Sequence, residues 1–148
     1  MFLRNIMRIA LCPRSVLSLC RTLTTTATCS TPQIKVKYVT GEGTFEAMGN
    51  VGDTLLDVVV NADLPLDGFG ACEGCLACCT CHVILSKEHF DRTDKTNPVG
   101  EDENDLLDLA PEVCDLSRLG CQVKLTEEDA PEVTVTVPSE RRDLRNMD

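Results

Sequence analysis

No tryptophan occurs among the 148 residues, tyrosine occurs once and phenylalanine four times. A core without large rings must be filled by short aliphatic side chains, and such a core depends on close packing. No run of 18 or more apolar residues is present, which excludes an α-helical membrane span. The chain has no glycine fingerprint for a nucleotide, and no Ser/His/Asp or Cys/His pair placed for catalysis. A self-sufficient oxidoreductase or hydrolase is therefore not expected. Acidic residues are missing until Glu42, while six basic ones (Arg4, Arg8, Arg14, Arg21, Lys35 and Lys37) precede it. From Glu42 onward 24 acidic side chains face eight basic ones, a net charge of −16. That field argues against nucleic acid as a partner and divides the chain into a basic leader and an acidic domain.

Residues 1–30 carry arginine, serine and threonine but no acid. Arg4, Asn5 and Arg8 share one side of a helix, and Phe2, Leu3, Ile6, Met7, Ile9 and Ala10 fill the other. This is the composition of a mitochondrial transit peptide. A secretory signal would need an unbroken apolar core, which Pro13 and Ser18 interrupt. Cys12, Cys20 and Cys29 are expected to leave with the leader. A disulfide framework is not expected in the remainder.

What the chain has in abundance is cysteine, ten in all, with Cys72, Cys75, Cys78, Cys79 and Cys81 inside ten residues. Buried thiols used as small apolar groups have no reason to cluster, whereas thiolates that share a metal must. Spacing sorts the metal readings. A 4Fe-4S run of the C-x2-C-x2-C-x3-C-P kind would need its last cysteine at His82 or Leu85. The plant-type C-x4-C-x2-C pattern would need a cysteine at position 67, 70 or 73. Neither is met. The longer C-x5-C-x2-C is met once, by Cys72, Cys78 and Cys81, and a distant fourth thiolate is then required. Cys121 in Leu119-Gly120-Cys121 is the candidate, with Cys114 as a weaker one. A Rieske-type site needs two histidines on one iron. His82 follows a ligand directly, but His89 stands apart in a polar stretch, so His82 is expected to hydrogen-bond the loop to the body. A structural zinc knuckle remains open, although Cys121 has no partner cysteine nearby.

The stretches GFGACEG, LAC, TCHV and SRLGCQV resemble the cluster loop and fourth-ligand loop of adrenodoxin-type (vertebrate-type) mitochondrial 2Fe-2S ferredoxins, with likeness from about Gln33 to Pro138. The resemblance implies an α+β, β-grasp domain: a mixed sheet with a packed helix and an acidic surface helix. It implies Cys72, Cys78, Cys81 and Cys121 as ligands of a 2Fe-2S cluster. It also implies a one-electron carrier in the mitochondrial matrix, reduced by an NADPH-dependent flavoprotein ferredoxin reductase. The acceptors implied are cytochromes P450, toward which GFGACEG and VTVTVP lean, or the iron–sulfur and haem assembly machinery. Two positions depart from the family: Cys75 stands where a Thr or small residue is usual, and Cys79 where Ser is usual. Both are expected to pack as the hydroxyl residues would.

Residues 31–138 form the expected domain, and 139–148 a mobile charged tail. Ile34 to Tyr38 alternates as a strand and pairs with Thr44 to Met48 across Gly41-Glu42-Gly43. Asp53 or Thr54 caps a helix whose apolar face is Leu55, Leu56, Val58, Val59 and Ala62, ended by Leu64-Pro65-Leu66. Residues 86–100 read as a loop. Glu101 to Ala110 reads as a helix with its acids at the dipole's positive end and Pro111 as its stop. Glu101, Asp105 and Asp108 form a carboxylate stripe opposite Leu106, Leu107, Leu109 and Ala110. In the resembling ferredoxins the matching helix docks basic partners. Gln122 to Leu125 and Val133 to Val137 read as the last strands.

Overall fold

The computed structural model describes residues 32–141 and 143–146; the expected leader lies outside the described residues. Alternation in β1, Gln33–Thr40, buries Ile34, Val36 and Tyr38. Its partner β2, Gly43–Asn50, runs antiparallel across the expected turn, with Lys37 opposite Glu46 and Tyr38 opposite Phe45. The five-stranded sheet has the order β2-β1-β5-β3-β4, where β3 is His82–Leu85, β4 is Ser117–Leu119 and β5 is Glu132–Thr136. Strand β5 enters between the hairpin and β3, parallel to β1 and antiparallel to β3. This is the mixed sheet expected of the α+β class.

Helix α1, Leu55–Asn61, packs on that sheet through Leu55, Leu56, Val58 and Val59. Thr54 is its cap. Thr54 Oγ1 accepts from the Asp57 amide at 3.0 Å, and Asp57 Oδ2 accepts from the Thr54 amide at 2.9 Å. Both orphan donors of the first turn are thereby satisfied. Ala62 caps the other end and is exposed, so it does not belong to the apolar face. The Tyr38 hydroxyl donates to the Leu55 carbonyl at 2.7 Å, tying sheet to helix, and burial holds its pKa far above the usual phenol value.

Three expectations are corrected. Residues 86–100 are not a loop: α2, Lys87–Thr96, begins at Ser86, whose Oγ accepts from the His89 amide at 3.3 Å. It buries only His89 and Thr93, with Phe90 half-buried, so its apolar periodicity is too thin to see beside seven charged or polar neighbours. Gln122 to Leu125 is not a strand, although Val123 and Leu125 are fully buried. Its backbone pairs with the turn before α1 instead: Leu55 N donates to Val123 O at 3.0 Å, and Leu125 N to Asp53 O at 2.8 Å. The burial alternation was legible; the partner is a turn, so no ladder extends. Finally, α3 spans Glu101–Leu107 and closes in tighter turns, with Leu109 N on Leu106 O and Ala110 N on Leu107 O. That closure turns Leu109 outward, 56% exposed.

Candidate metal centre

The cysteine-rich segment fills the connection between α1 and β3. Gly70, at φ 69°, lies so close to α1 that a Cβ would run into the Leu56 side chain. Glycine supplies both the left-handed backbone and the close approach. Glu73 and Leu76 take left-handed φ values of 54° and 53° without that freedom, a strain that the surrounding contacts must hold. The turn after β4 brings Cys121 to the same place. Gly120 N donates to Cys81 O at 2.8 Å, and Leu56 N donates to Gly120 O at 3.1 Å. A Cβ at Gly120 would sit 3.0 Å from the Cys81 carbonyl, so a side chain there would press on the backbone of this stitch.

Cys72, Cys78 and Cys81 are buried and Cys121 is half-buried. Of the four, Cys72 is in hydrogen-bonding reach of Cys78, and Cys81 of Cys121, with Cys75 also beside Cys72. Burial by itself would raise the Cys72 pKa. The amides of Ala77, Gly74 and Cys75, together with the Cys78 thiol, outweigh it and bring the thiol down to about 7. Backbone N–H groups aimed at sulfur are what a thiolate requires. In the second pair the two thiols share one hydrogen bond. That bond lowers the Cys121 pKa and raises that of Cys81, and Gln122 Nε2 adds a donor to Cys121 Sγ at 3.3 Å. Thr80 Oγ1 lies 3.1 Å from Cys78 Sγ and accepts from the Ala71 amide at 2.9 Å. Among the described residues no three Cys, His, Asp or Glu side chains gather tightly enough to hold one ion. Four thiols set two and two are the donors that a 2Fe-2S cluster would take, and Cys72, Cys78, Cys81 and Cys121 would hold it.

The other thiols separate. Cys79 is 1% exposed within the apolar core, as expected of a residue in a serine's place. Cys75 is exposed and touches Cys72, so it does not pack inward. Cys114 is exposed and sits beside the Ser117 hydroxyl rather than with the four. His82 Nε2 is 2.7 Å from Ser117 Oγ, joining the start of β3 to the start of β4. Burial lowers its pKa, partly offset by the Pro111 carbonyl, and the ring stays neutral near pH 7. His89 does not stand alone in a polar stretch: it is 1% exposed, with Nε2 3.5 Å from Asp129 Oδ1.

Glu101, Asp105 and Asp108 are all exposed along α3, as the stripe predicts, and Asp102 extends it. Glu103 is the buried neighbour of that stripe that sequence reasoning missed. It turns inward, 3% exposed, and forks onto Arg118, which is 0% exposed. The Glu103 carboxylate receives Arg118 Nε at 2.9 Å, Arg118 Nη2 at 3.1 Å and the Leu119 amide at 2.8 Å. A signal was present: at 100° per residue Glu103 lies about 200° from Glu101, among the leucines. A groove runs from Leu76 in the cysteine loop to Glu101 and Asp102, past Gln122. The acidic helix and the thiol loop thus share a face.

No protein-family model matches the chain. Bovine mitochondrial adrenodoxin is 46% identical over 117 residues, 78% of this chain and 61% of the bovine one. Sheep adrenodoxin is 45% identical with 88% of its length covered. The mitochondrial adrenodoxin-like protein 2 of Drosophila melanogaster is 47% identical, covering 76% of this chain and 72% of that protein. The chain therefore spans about three fifths of the bovine and pig relatives but most of the sheep one. Reduced putidaredoxin from Pseudomonas putida superposes with a TM-score of 0.64 at 30% identity, covering 73% of this chain and 99% of that one. Putidaredoxin in its covalent complex with putidaredoxin reductase gives 0.62 at 31%, covering 72% and 99%. With its thiol loop, mixed sheet and relatives in agreement, the chain belongs to the adrenodoxin-type 2Fe-2S ferredoxins.

Proposed function

We propose that this chain is a one-electron carrier in which Cys72, Cys78, Cys81 and Cys121 hold a 2Fe-2S cluster. Bound there, the cluster takes up and releases a single electron. The observation that carries this reading is the pairing of four thiols, two and two, in a loop built to stabilise thiolates. The amides of Gly74, Cys75 and Ala77 supply donors to Cys72, and Gln122 supplies one to Cys121. Leu56 and Phe69, against which the loop packs, keep water from its inner side. Four thiolates leave no open position for substrate, so the chain performs no catalysis of its own.

The electron donor is an NADPH-dependent flavoprotein reductase, a reading supported by the structural likeness to a putidaredoxin joined to its reductase. The acceptor is a cytochrome P450, with the iron–sulfur assembly machinery as the alternative. Glu101, Asp105 and Asp108 form the docking face, because an exposed single-sign stripe beside the thiol loop steers a basic partner toward it. Mitochondrial relatives support a mitochondrial location, and residues 1–30 carry the address to the matrix. The test is purification of the chain followed by visible spectroscopy, iron and sulfide analysis, and reduction by NADPH with an adrenodoxin-type reductase. A brown, reducible protein is expected. A colourless zinc protein would refute the reading.

A further inference from the structure

Cys75 is a thiol of the cysteine-rich loop that the cluster leaves over, and a tight turn ties it to one that the cluster needs. Cys72-Glu73-Gly74-Cys75 closes with the Cys75 amide donating to the Cys72 carbonyl at 3.3 Å. Both central residues are left-handed, Glu73 at φ 54° and Gly74 at φ 84°, as a type I′ turn requires. Such a turn keeps its first and last Cα atoms within about 7 Å of each other. A disulfide spans Cα separations of about 4.4–6.8 Å, so the backbone holds this C-x-x-C pair at bridging range. The side chains meet as well, since the two thiols lie in hydrogen-bonding reach. Exposure divides them: Cys75 is exposed, whereas Cys72 is buried. Cys78 also lies beside Cys72, but it is 1% exposed, so a dissolved oxidant meets Cys75 first. The turn borders the fourth thiol too, because a Cβ on Gly74 would lie 3.6 Å from Cys121 Cβ.

We propose that Cys75 is the redox partner of Cys72: in the chain without its cluster the two close a disulfide, and that bridge bars loading until it is reduced. The inference rests on the assignment of Cys72 as a cluster ligand. The oxidant is a small disulfide of the glutathione class. Cys75 Sγ attacks one of its sulfurs, a Cys75–glutathione bond forms, and the first glutathione leaves with the Cys75 proton. Cys72 Sγ then attacks Cys75 Sγ, and the second glutathione leaves with the Cys72 proton. Two protein thiols are oxidised to one disulfide, and one small disulfide is reduced to two thiols. Sulfur ligates a metal as thiolate, so a bridged Cys72 is withdrawn from the site. With the cluster in place Cys72 is occupied and the second step has no nucleophile. Oxidation then stops at a glutathione cap on Cys75, which a reductant removes.

The experiment treats the full chain with oxidised glutathione in two forms, loaded with its cluster and stripped of it by an iron chelator. Peptide mass spectrometry then maps the thiols. In the stripped chain Cys72 and Cys75 are expected to be joined to each other, with the loss of two hydrogens. That chain should fail to regain visible absorbance with iron and sulfide until dithiothreitol is added. The loaded chain should keep its colour and carry glutathione on Cys75. Cys75→Thr, stripped and treated alike, should reload without a reductant. In the stripped parent, a cap on Cys75 alone, a Cys72–Cys78 bridge or full reloading after oxidation would overturn the proposal. A Cys75→Thr chain that needs dithiothreitol as the parent does would overturn it too. A fully reduced parent that takes up no iron and sulfide overturns the cluster assignment itself, and this inference with it.

Discussion

Replacing Glu103 by Gln tests whether the buried fork under α3 holds the fourth-thiol strand in place. Glu103 and Arg118 are 3% and 0% exposed, so neither charge reaches water. The substitution keeps volume but leaves the Arg118 guanidinium, whose Nη1 already lacks a partner, facing an uncharged amide. Removing one member of a buried pair costs about 3–5 kcal/mol, because the survivor is a buried charge without compensation. Against a domain stability of about 5–15 kcal/mol, that is at least about a fifth of the total. The assay is denaturant unfolding of the loaded protein, followed in parallel by far-ultraviolet circular dichroism and visible absorbance. A large fall in midpoint with an unchanged slope is expected. The double variant Glu103→Leu with Arg118→Met removes both charges, and it should recover most of the loss. A cost below about 1 kcal/mol for Glu103→Gln, the value of an exposed pair, would refute the reasoning and mean that water reaches the fork.

Serine at Cys72, Cys78, Cys81 or Cys121 is expected to abolish the visible spectrum, whereas Cys75→Thr and Cys79→Ser keep it; loss in Cys75→Thr with Cys72→Ser intact would displace the assigned register. Asn at both Asp105 and Asp108 should raise the apparent KM for a basic reductase several-fold at low salt, at about 1 kcal/mol or less per rim charge, without altering the spectrum. Unchanged kinetics at low salt would reduce the stripe to a solvated surface. Burial lowers the His89 pKa; Asp129 opposes this, while Arg92 and Arg118 act with it. The folded value therefore lies below the usual histidine value of about 6.5. The unfolded chain binds the extra proton first, so stability should fall as pH drops from about 6.5 towards the folded value and level off below it. His89→Gln should flatten the slope of stability against pH there, and a parent already flat in that window would contradict it.

The readings that succeeded rest on short-range regularities. Strict alternation set β1, and the choice of Asp53 or Thr54 as cap set the start of α1 to within one residue. Those that failed involve contacts the local pattern does not encode. Helix α2 hides because its buried positions are a histidine and a threonine, which no hydrophobic scale marks as core. Val123 and Leu125 alternate like a strand, but the pairing partner is a turn 70 residues earlier in the chain, near Asp53. The Arg141–Asp67 contact joins positions 74 residues apart and leaves no trace in either segment. Glu103 is intermediate: its place among the leucines of α3 was visible, whereas its partner Arg118 could be found only by folding the chain.

In the docking proposed above, that fork would keep α3 in register with the thiol loop. One side of α3 presents Glu101, Asp105 and Asp108 to solvent, and the other sends Glu103 into the body. There Glu103 receives the Leu119 amide, two residues before Cys121. The span from acidic face to fourth thiol is therefore one buried carboxylate and the short turn from Leu119 to Cys121. A buried ion pair is a poor device for stability alone, since apolar groups of similar size hold as well or better. Its advantage is direction: a fork fixes the angle of the helix, where leucine and methionine would let it settle wherever packing allows. The Glu103→Leu, Arg118→Met protein should therefore be stable yet dock less productively, with slower electron uptake from the reductase at the parent's spectrum. If it matches the parent in both stability and rate, the fork only fills space and the acidic face finds its register by other contacts.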